Sequence, residues 1–198
     1  MDNRHKILDI GCGHVKVPGA VGLDNVDLAN VDVVHDILDF PYPFDERYFD
    51  AIYLKHVIEH FSIMKIDEIL LECHRILKNN GKLYINVPHA FSIAAFTDPT
   101  HKTFFTFTSG YFWDKDNSKE YYKEINSLWS LVSIRCSLTW FDSKRFQLRK
   151  IDKFFSNILS WRINNALKNK NSPSLADRLV KKYNMQFCDI KWTYKKHD

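Results

Sequence analysis

Ile7-Leu8-Asp9-Ile10-Gly11-Cys12-Gly13 is an apolar run broken by one carboxylate and closed by two glycines one residue apart. Such a run reads as a buried strand, and the glycines mark the sharp turn at its carboxyl end. Without a Cβ, Gly11 and Gly13 let the backbone turn tightly and let a ligand come close. The first strand-to-loop junction of an α/β sheet is where nucleotide-like ligands sit. Two glycines alone recur by chance, so the reading rests on the order of the features that follow.

Ala20-Val21-Gly22-Leu23-Asp24 is a second strand ending in a carboxylate. Placed there, an acidic side chain can accept hydrogen bonds from both hydroxyls of a ribose, or it can simply cap a turn. Between the two strands His14 to Gly19 is too short and too rich in Pro and Gly for a full crossover helix. Residues 31–36 make a third strand ending in Asp36, a carboxylate able to accept from an exocyclic amine, with Leu38 and Phe40 beyond it to flank a planar base. Residues 49–54 form a fourth strand, apolar enough to be central. Ile66, Ile69, Leu70, Cys73, Ile76 and Leu77 recur at helical spacing opposite Asp67, Glu68, Glu72 and Arg75. Lys78-Asn79-Asn80-Gly81 supplies the stop, with Gly81 as a left-handed cap, before a fifth strand over 82–88. Strand and helix alternation predicts a parallel sheet covered on both faces.

Residues 89–113 are aromatic and irregular, the composition of a lid or substrate wall; residues 128–141 alternate as a late strand. A basic, aromatic helical stripe occupies 144–167, a further helix 175–183, and a closing strand 187–194. The chain thus reads as a single domain: a core over 5–112, the lid over 89–113 and a basic helical insertion over about 144–172.

Charge is uneven: residues 144–198 hold 14 Lys and Arg against 4 Asp and Glu, a local balance of +10 in a chain of net +4. That asymmetry suits an anionic partner, or a surface helix lying on a membrane through 145–167, although a solvated face explains it equally. No recognisable nucleic-acid module appears, so nucleic acid is not expected as a partner. No apolar run is long enough to span a bilayer, and the four cysteines are scattered without a CxxC pair. A cytoplasmic protein without disulfides or a zinc knuckle is the expectation.

Taken in order, Ile7 to Gly13, Gly22-Leu23-Asp24, Asp36, Phe49-Asp50-Ala51-Ile52 with His56-Val57-Ile58-Glu59-His60, and Arg75 to Leu83 resemble the class I S-adenosylmethionine-dependent methyltransferases, in the type 11 methyltransferase-domain family. The resemblance covers roughly residues 5–112. It implies a Rossmann-like, mostly parallel seven-stranded sheet flanked by helices, with S-adenosyl-L-methionine as cofactor. It also implies that Asp9, Gly11, Cys12 and Gly13 surround the methionine part, that Asp24 and Asn25 hold the ribose, and that Asp36, Ile37 and Leu38 meet the adenine. Lys55 and His56 would border the sulfonium, with Glu59 and His60 structural. Val15 stands where a third glycine is usual, and the short Gly13–Asp24 interval implies an abbreviated first helix.

An activated methyl needs mainly an aligned acceptor, plus a base for an oxygen or nitrogen nucleophile. His101, His89 and His56 fall in loops at the strands' carboxyl edge and are the candidates, with Asp98 placed to orient His101. Nothing in their spacing demands a metal, so none is expected. Phe91, Phe104, Phe105, Tyr111 and Trp113 would wall the acceptor pocket, and Lys55, Lys102 and the basic C-terminal third suit a small anionic acceptor, such as a phosphorylated or sugar-type metabolite. The alternative is a non-catalytic module of the same fold that binds a nucleotide or a partner.

Overall fold

The structure, a computed structural model, describes residues 5–117, 128–137, 160–165, 167, 173–182 and 188–197. Seven strands form one sheet: β1 (Ile7–Ile10), β2 (Val21–Asp24), β3 (Val33–Val34), β4 (Phe49–Lys55), β5 (Leu77–Pro88), β6 (Trp129–Ser137) and β7 (Asp189–Lys196). Their order across the sheet is β3-β2-β1-β4-β5-β7-β6. β1 to β5 pair in parallel, while β7 lies antiparallel between β5 and β6. This is the mostly parallel, Rossmann-like sheet expected. Its order reverses at β1, so the carboxyl ends of β1 and its neighbours face the crevice where such sheets bind ligands.

Helix α1 (Ile63–Ile76) is the crossover between β4 and β5. Ile66, Ile69, Leu70, Cys73 and Ile76 are buried on its inner face, as their spacing predicts. The predicted stop differs in detail. β5 begins at once with Leu77, and residues 78–81 bulge between the Phe49–Leu77 and Ala51–Lys82 pairs. Asn80, not Gly81, takes the left-handed conformation (φ +63°). Gly81 is needed for space instead, since a Cβ there would meet Leu77 Cγ at 2.7 Å.

The first helix is not merely abbreviated: residues 11–20 pass from β1 to β2 through turns alone, and 25–32 and 35–48 likewise carry no helix. Side-chain stitches stand in for helical packing. Lys55 Nζ donates to Val15 O (2.9 Å), Asn30 Nδ2 to His14 O (2.6 Å), and Asp32 accepts from Gly22 N (2.6 Å) and pairs with Lys16. On the α1 side of the sheet, Ile52, Leu83 and Tyr194 form one buried row and Leu54, Ile85 and Trp192 the next. On the opposite side, the row Tyr53–Tyr84–Thr193 is only half-buried and Lys82, Lys191 and Lys195 are exposed.

The segment expected as a lid is divided: Phe91, Phe96 and Phe104 are exposed, while its second half also feeds the core. Phe105 and Trp113 are buried against Trp192, Phe107 is buried beside His89, and Trp113 Nε1 donates to Asp67 of α1 (2.9 Å). Of the basic stripe, 160–165 and 167 are described and helical; Ile163 and Leu167 join the core, Trp161 is exposed, and Phe154 and Phe155 lie outside the described residues. No helix among the described residues is long and apolar enough to cross a membrane.

Candidate functional site

Gly11 and Gly13 leave β1 with φ of +66° and +50°, a region that an L side chain rarely adopts. At Gly11 a Cβ would also lie 2.5 Å from Val57 Cγ2. The turn bonds back to β2: the Gly11 and Cys12 amides donate to Leu23 O, and the Gly13 amide donates to Asp24 Oδ2 (2.9 Å). Asp24 is the last residue of β2, and its Oδ1 accepts from Val26 N (3.2 Å). Next to it, the His35 amide donates to the Asp24 carbonyl, which sets Asp36 beside it at the end of β3. Asp36 is exposed and commits Oδ1 to Leu38 N (2.9 Å). Asn25 is exposed, Ile37 packs on the core, and Leu38 is partly exposed.

Two expected binding residues are spent on structure. The Cys12 side chain is buried at 4% exposure, and that burial, with Asp24 and Asp9 nearby, raises its thiol pKa; it packs beneath the turn and faces Asn30 O. Lys55 pairs with Asp9 (2.9 Å) and holds Val15 O rather than reaching for an anion. Asp9 is fully buried, with Oδ2 accepting from Val17 N (2.7 Å); its Oδ1 has no hydrogen-bond partner.

The three histidines separate sharply. His89 is fully enclosed, accepts at Nδ1 from Phe91 N (3.1 Å) and bonds through Nε2 to Asp177 Oδ1 (2.8 Å). Because Nδ1 accepts, Nε2 carries the proton and donates. Asp177 also takes the Phe107 amide (2.9 Å), so His89 is a clasp between β5 and the Pro173–Lys182 helix and not an accessible base.

His56 leaves β4 with φ +53°, strain of the kind that collects at functional sites. It lies between two buried carboxylates, with Nδ1 3.3 Å from Glu59 and Nε2 3.5 Å from Asp189, and the Asn86 amide 3.1 Å from Nε2. Asp189, then Glu59, outweigh the burial and push its pKa up to about 9. At neutral pH His56 is therefore a cation, which corrects its expected role as a base.

His101 is half-buried and donates from Nδ1 to Ala95 O (2.8 Å). Asp98 does not orient it as expected. The Asp98 carboxylate accepts from the amide and hydroxyl of Thr100, and Thr100 Oγ1 meets His60 Nδ1 at 2.8 Å. Glu59, His60 and Asp189 were not singled out as site residues. The signal for the first two was the His56-x-x-Glu59-His60 spacing, in which Glu59 and His60 share the single 3₁₀ turn Ile58–His60 and His56 precedes it; Asp189 is brought in only by β7. A separate cavity of about 480 Å³ lies at the β6 edge among Tyr111, Leu131, Asn164 and Leu167, away from the strand tips.

The model of the family described as "Methyltransferase domain" matches residues 24–85. Among solved structures, the chain is similar to a SAM-dependent methyltransferase from Archaeoglobus fulgidus, with 15% identity, TM-score 0.55, and coverage of 98% of this chain and 87% of that one. It is also similar to the YcgJ protein from Bacillus subtilis, with 18% identity, TM-score 0.54, and coverage of 98% and 93%. No curated protein matches the sequence. The chain thus has the fold of these methyltransferases, as the resemblance implies, and its residues 24–85 match the methyltransferase-domain model.

Proposed function

We propose that this methyltransferase domain binds S-adenosylmethionine across the tips of β1, β2 and β3 and serves methyl transfer to an oxygen or nitrogen of a small polar acceptor. The observation that carries the reading is the Gly11–Gly13 turn locked to the Asp24 carboxylate at a sheet's switch point. The residues fit the group. Each Asp24 oxygen keeps a second lone pair for a ribose hydroxyl. Asp36 Oδ2 can take an exocyclic amine, and buried Asp9 Oδ1 lacks a donor. When bound, the sulfonium supplies an already activated methyl carbon.

The chain's own work is alignment and charge. His56 sits at the tip of β4 with Glu59 and Asp189 around it, a fixed polar edge beside the turn. Exposed Phe91, Phe96 and Phe104, the last two stacked at 4.9 Å, offer an apolar wall for the acceptor. Exposed Lys102 and the basic C-terminal third favour an anionic acceptor, of phosphorylated or sugar type. Among the expected bases, His101 is the one whose Nε2 lone pair is not consumed by a hydrogen bond among the described residues. Four free cysteines, two with sulfurs 3.2 Å apart, suit a reducing compartment such as the cytoplasm.

Calorimetric titration with S-adenosylmethionine and S-adenosylhomocysteine tests the reading. The native chain should bind both at one site, and Asp24→Ala should weaken binding about 10- to 100-fold, the worth of charge-assisted hydrogen bonds. Absence of binding by the native chain would overturn it. Binding without turnover on a panel of phosphorylated and sugar-type acceptors would favour the non-catalytic module.

A further inference from the structure

Glu59 is the least satisfied ionisable group among the described residues. Its side chain is 0% exposed and neither carboxylate oxygen has a hydrogen-bond partner, although His56 Nδ1 lies 3.3 Å from Oε1. A buried carboxylate is costly unless cations or donors meet it; cationic His56 approaches Oε1 only, and Oε2 has no partner. Beside it stand two imidazoles, His60 and His101, with ring centroids 4.8 Å apart. One potential ligand atom from each of Glu59, His60 and His101 lies within 4.8 Å of the other two.

Hydrogen bonding fixes the tautomer of both rings. His101 Nδ1 faces the carbonyl of Ala95, which can only accept, so Nδ1 carries the proton. The His60 case takes one more step. Asp98, its pKa held low by the Thr100 hydroxyl and amide, is an acceptor, so the Thr100 hydroxyl donates to it. That hydroxyl has one proton, and it must therefore accept from His60 Nδ1. Both rings then present an unprotonated Nε2. An Nδ1–H held by a backbone carbonyl or by a carboxylate-backed group is the outer-shell arrangement that prepares histidine as a metal ligand.

We propose that Glu59, His60 and His101 form a divalent metal site, of the two-histidine, one-carboxylate kind that takes zinc or another first-row ion. Zinc ligands in a tetrahedron stand roughly 3.3 Å apart, so the donors draw in by up to about 1.5 Å, a side-chain adjustment. The site ties the 98–103 segment to the turn after β4, which the Lys102 and Thr103 amides already bond through the Glu59 carbonyl. Three protein ligands leave a position for water or a substrate oxygen. If methyl transfer as proposed above also holds, an acceptor hydroxyl bound there would ionise nearer neutral pH; metal binding itself does not depend on that reading.

The full chain, stripped with a chelator, is titrated with Zn²⁺ against a competing chelator and with Co²⁺ by visible absorption. One tight equivalent is expected, with a strong low-coordinate cobalt spectrum and a raised melting temperature. Glu59→Gln and His101→Asn should weaken zinc by at least about 100-fold, and Thr100→Val, which touches no ligand atom, by about 10- to 100-fold. Against a folding artefact, the chelator-treated variants should melt cooperatively, Glu59→Gln no lower than the wild type, and zinc should raise the melting temperature of the wild type alone. Should a variant fail to fold, ¹⁵N correlation spectra of the wild-type histidines decide: His60 and His101 should both be Nδ1–H tautomers whose Nε2 signals move with zinc. Zinc binding no tighter than in the variants, a cobalt spectrum unchanged from the aqueous ion, or an Nε2–H tautomer on either ring would overturn the proposal. Loss of turnover in His101→Asn without any zinc binding by the wild type would do the same, and would make His101 a base. Loss of cofactor binding with zinc binding intact would sink the methyl-transfer reading alone.

Discussion

Gly11 shows how one residue holds both the turn and its neighbour in place. Its φ of +66° disfavours any side chain, and even one methyl group would strike Val57. Gly11→Ala should therefore lower stability by about 1–3 kcal/mol and abolish detectable binding of S-adenosylhomocysteine, read by denaturant melts and calorimetry. The Lys16–Asp32 pair acts on the same loop from outside. The Lys16 bond, then the Gly22 amide, hold the Asp32 pKa below the usual carboxylate value. A folded pKa below the unfolded one means stability that is present above about pH 4 and lost as pH falls through the folded value. The pair is half exposed, so its worth is at most about 1 kcal/mol. Lys16→Met should move the Asp32 NMR titration midpoint upward and shrink the stability difference between pH 6 and pH 3; an unmoved midpoint would show that the lysine does not contribute. Cys12 and Lys55 carry the lesson about legibility at this scale. Their positions beside the glycines were plain in the sequence, but whether each side chain meets ligand or protein depends on where residues 15 and 30 fold back.

α1 is held at its end by a residue far away in the chain. Lys196 of β7 is buried and donates to the carbonyls of His74 (2.8 Å) and Leu77 (2.9 Å), satisfying acceptors that a helix terminus leaves unpaired and placing a cation at the negative end of the helix dipole. Lys196→Met should keep the packing volume yet cost about 1–2 kcal/mol in urea melts, with the midpoint shifted and the slope unchanged. On the helix's flank, Glu72 takes the Tyr42 amide (2.7 Å) while Arg75 holds Glu72 and the carbonyls of Tyr42 and Phe44. Arg75→Met leaves a buried carboxylate without its cation, and about 2–4 kcal/mol should be lost. Hydrogen exchange should then quicken first in 40–46; uniform quickening would mean that the clamp does not serve this loop. Periodicity marked the helix clearly but misplaced its end, because the bulge at 78–81 is set by pairing with β4 rather than by the Gly81 signal.

Across the whole molecule, neighbouring residues of β5 face different worlds. Leu83 is buried against α1, and Tyr84 is half-buried on the side where Tyr53 stacks on it at 4.6 Å. Leu83→Ala should cost about 2–5 kcal/mol and Tyr84→Ala about 1 kcal/mol, so equal losses in parallel melts would contradict the one-sided core. The parallel strands of the first half, the glycine turn, the carboxylates Asp24 and Asp36 and the crossover helix were legible from local pattern, because alternation, helical spacing and turn residues are properties of adjacent positions. That the crossovers after β1, β2 and β3 shrink to stitched turns was less so, since the stitches join residues 10 to 40 positions apart. The sequence by itself thus determined the parallel sheet and the turn at its switch point. Only tertiary structure decided which histidines are clasped, charged or open, because burial and the partners Asp189, Asp177 and Thr100 arrive from distant segments.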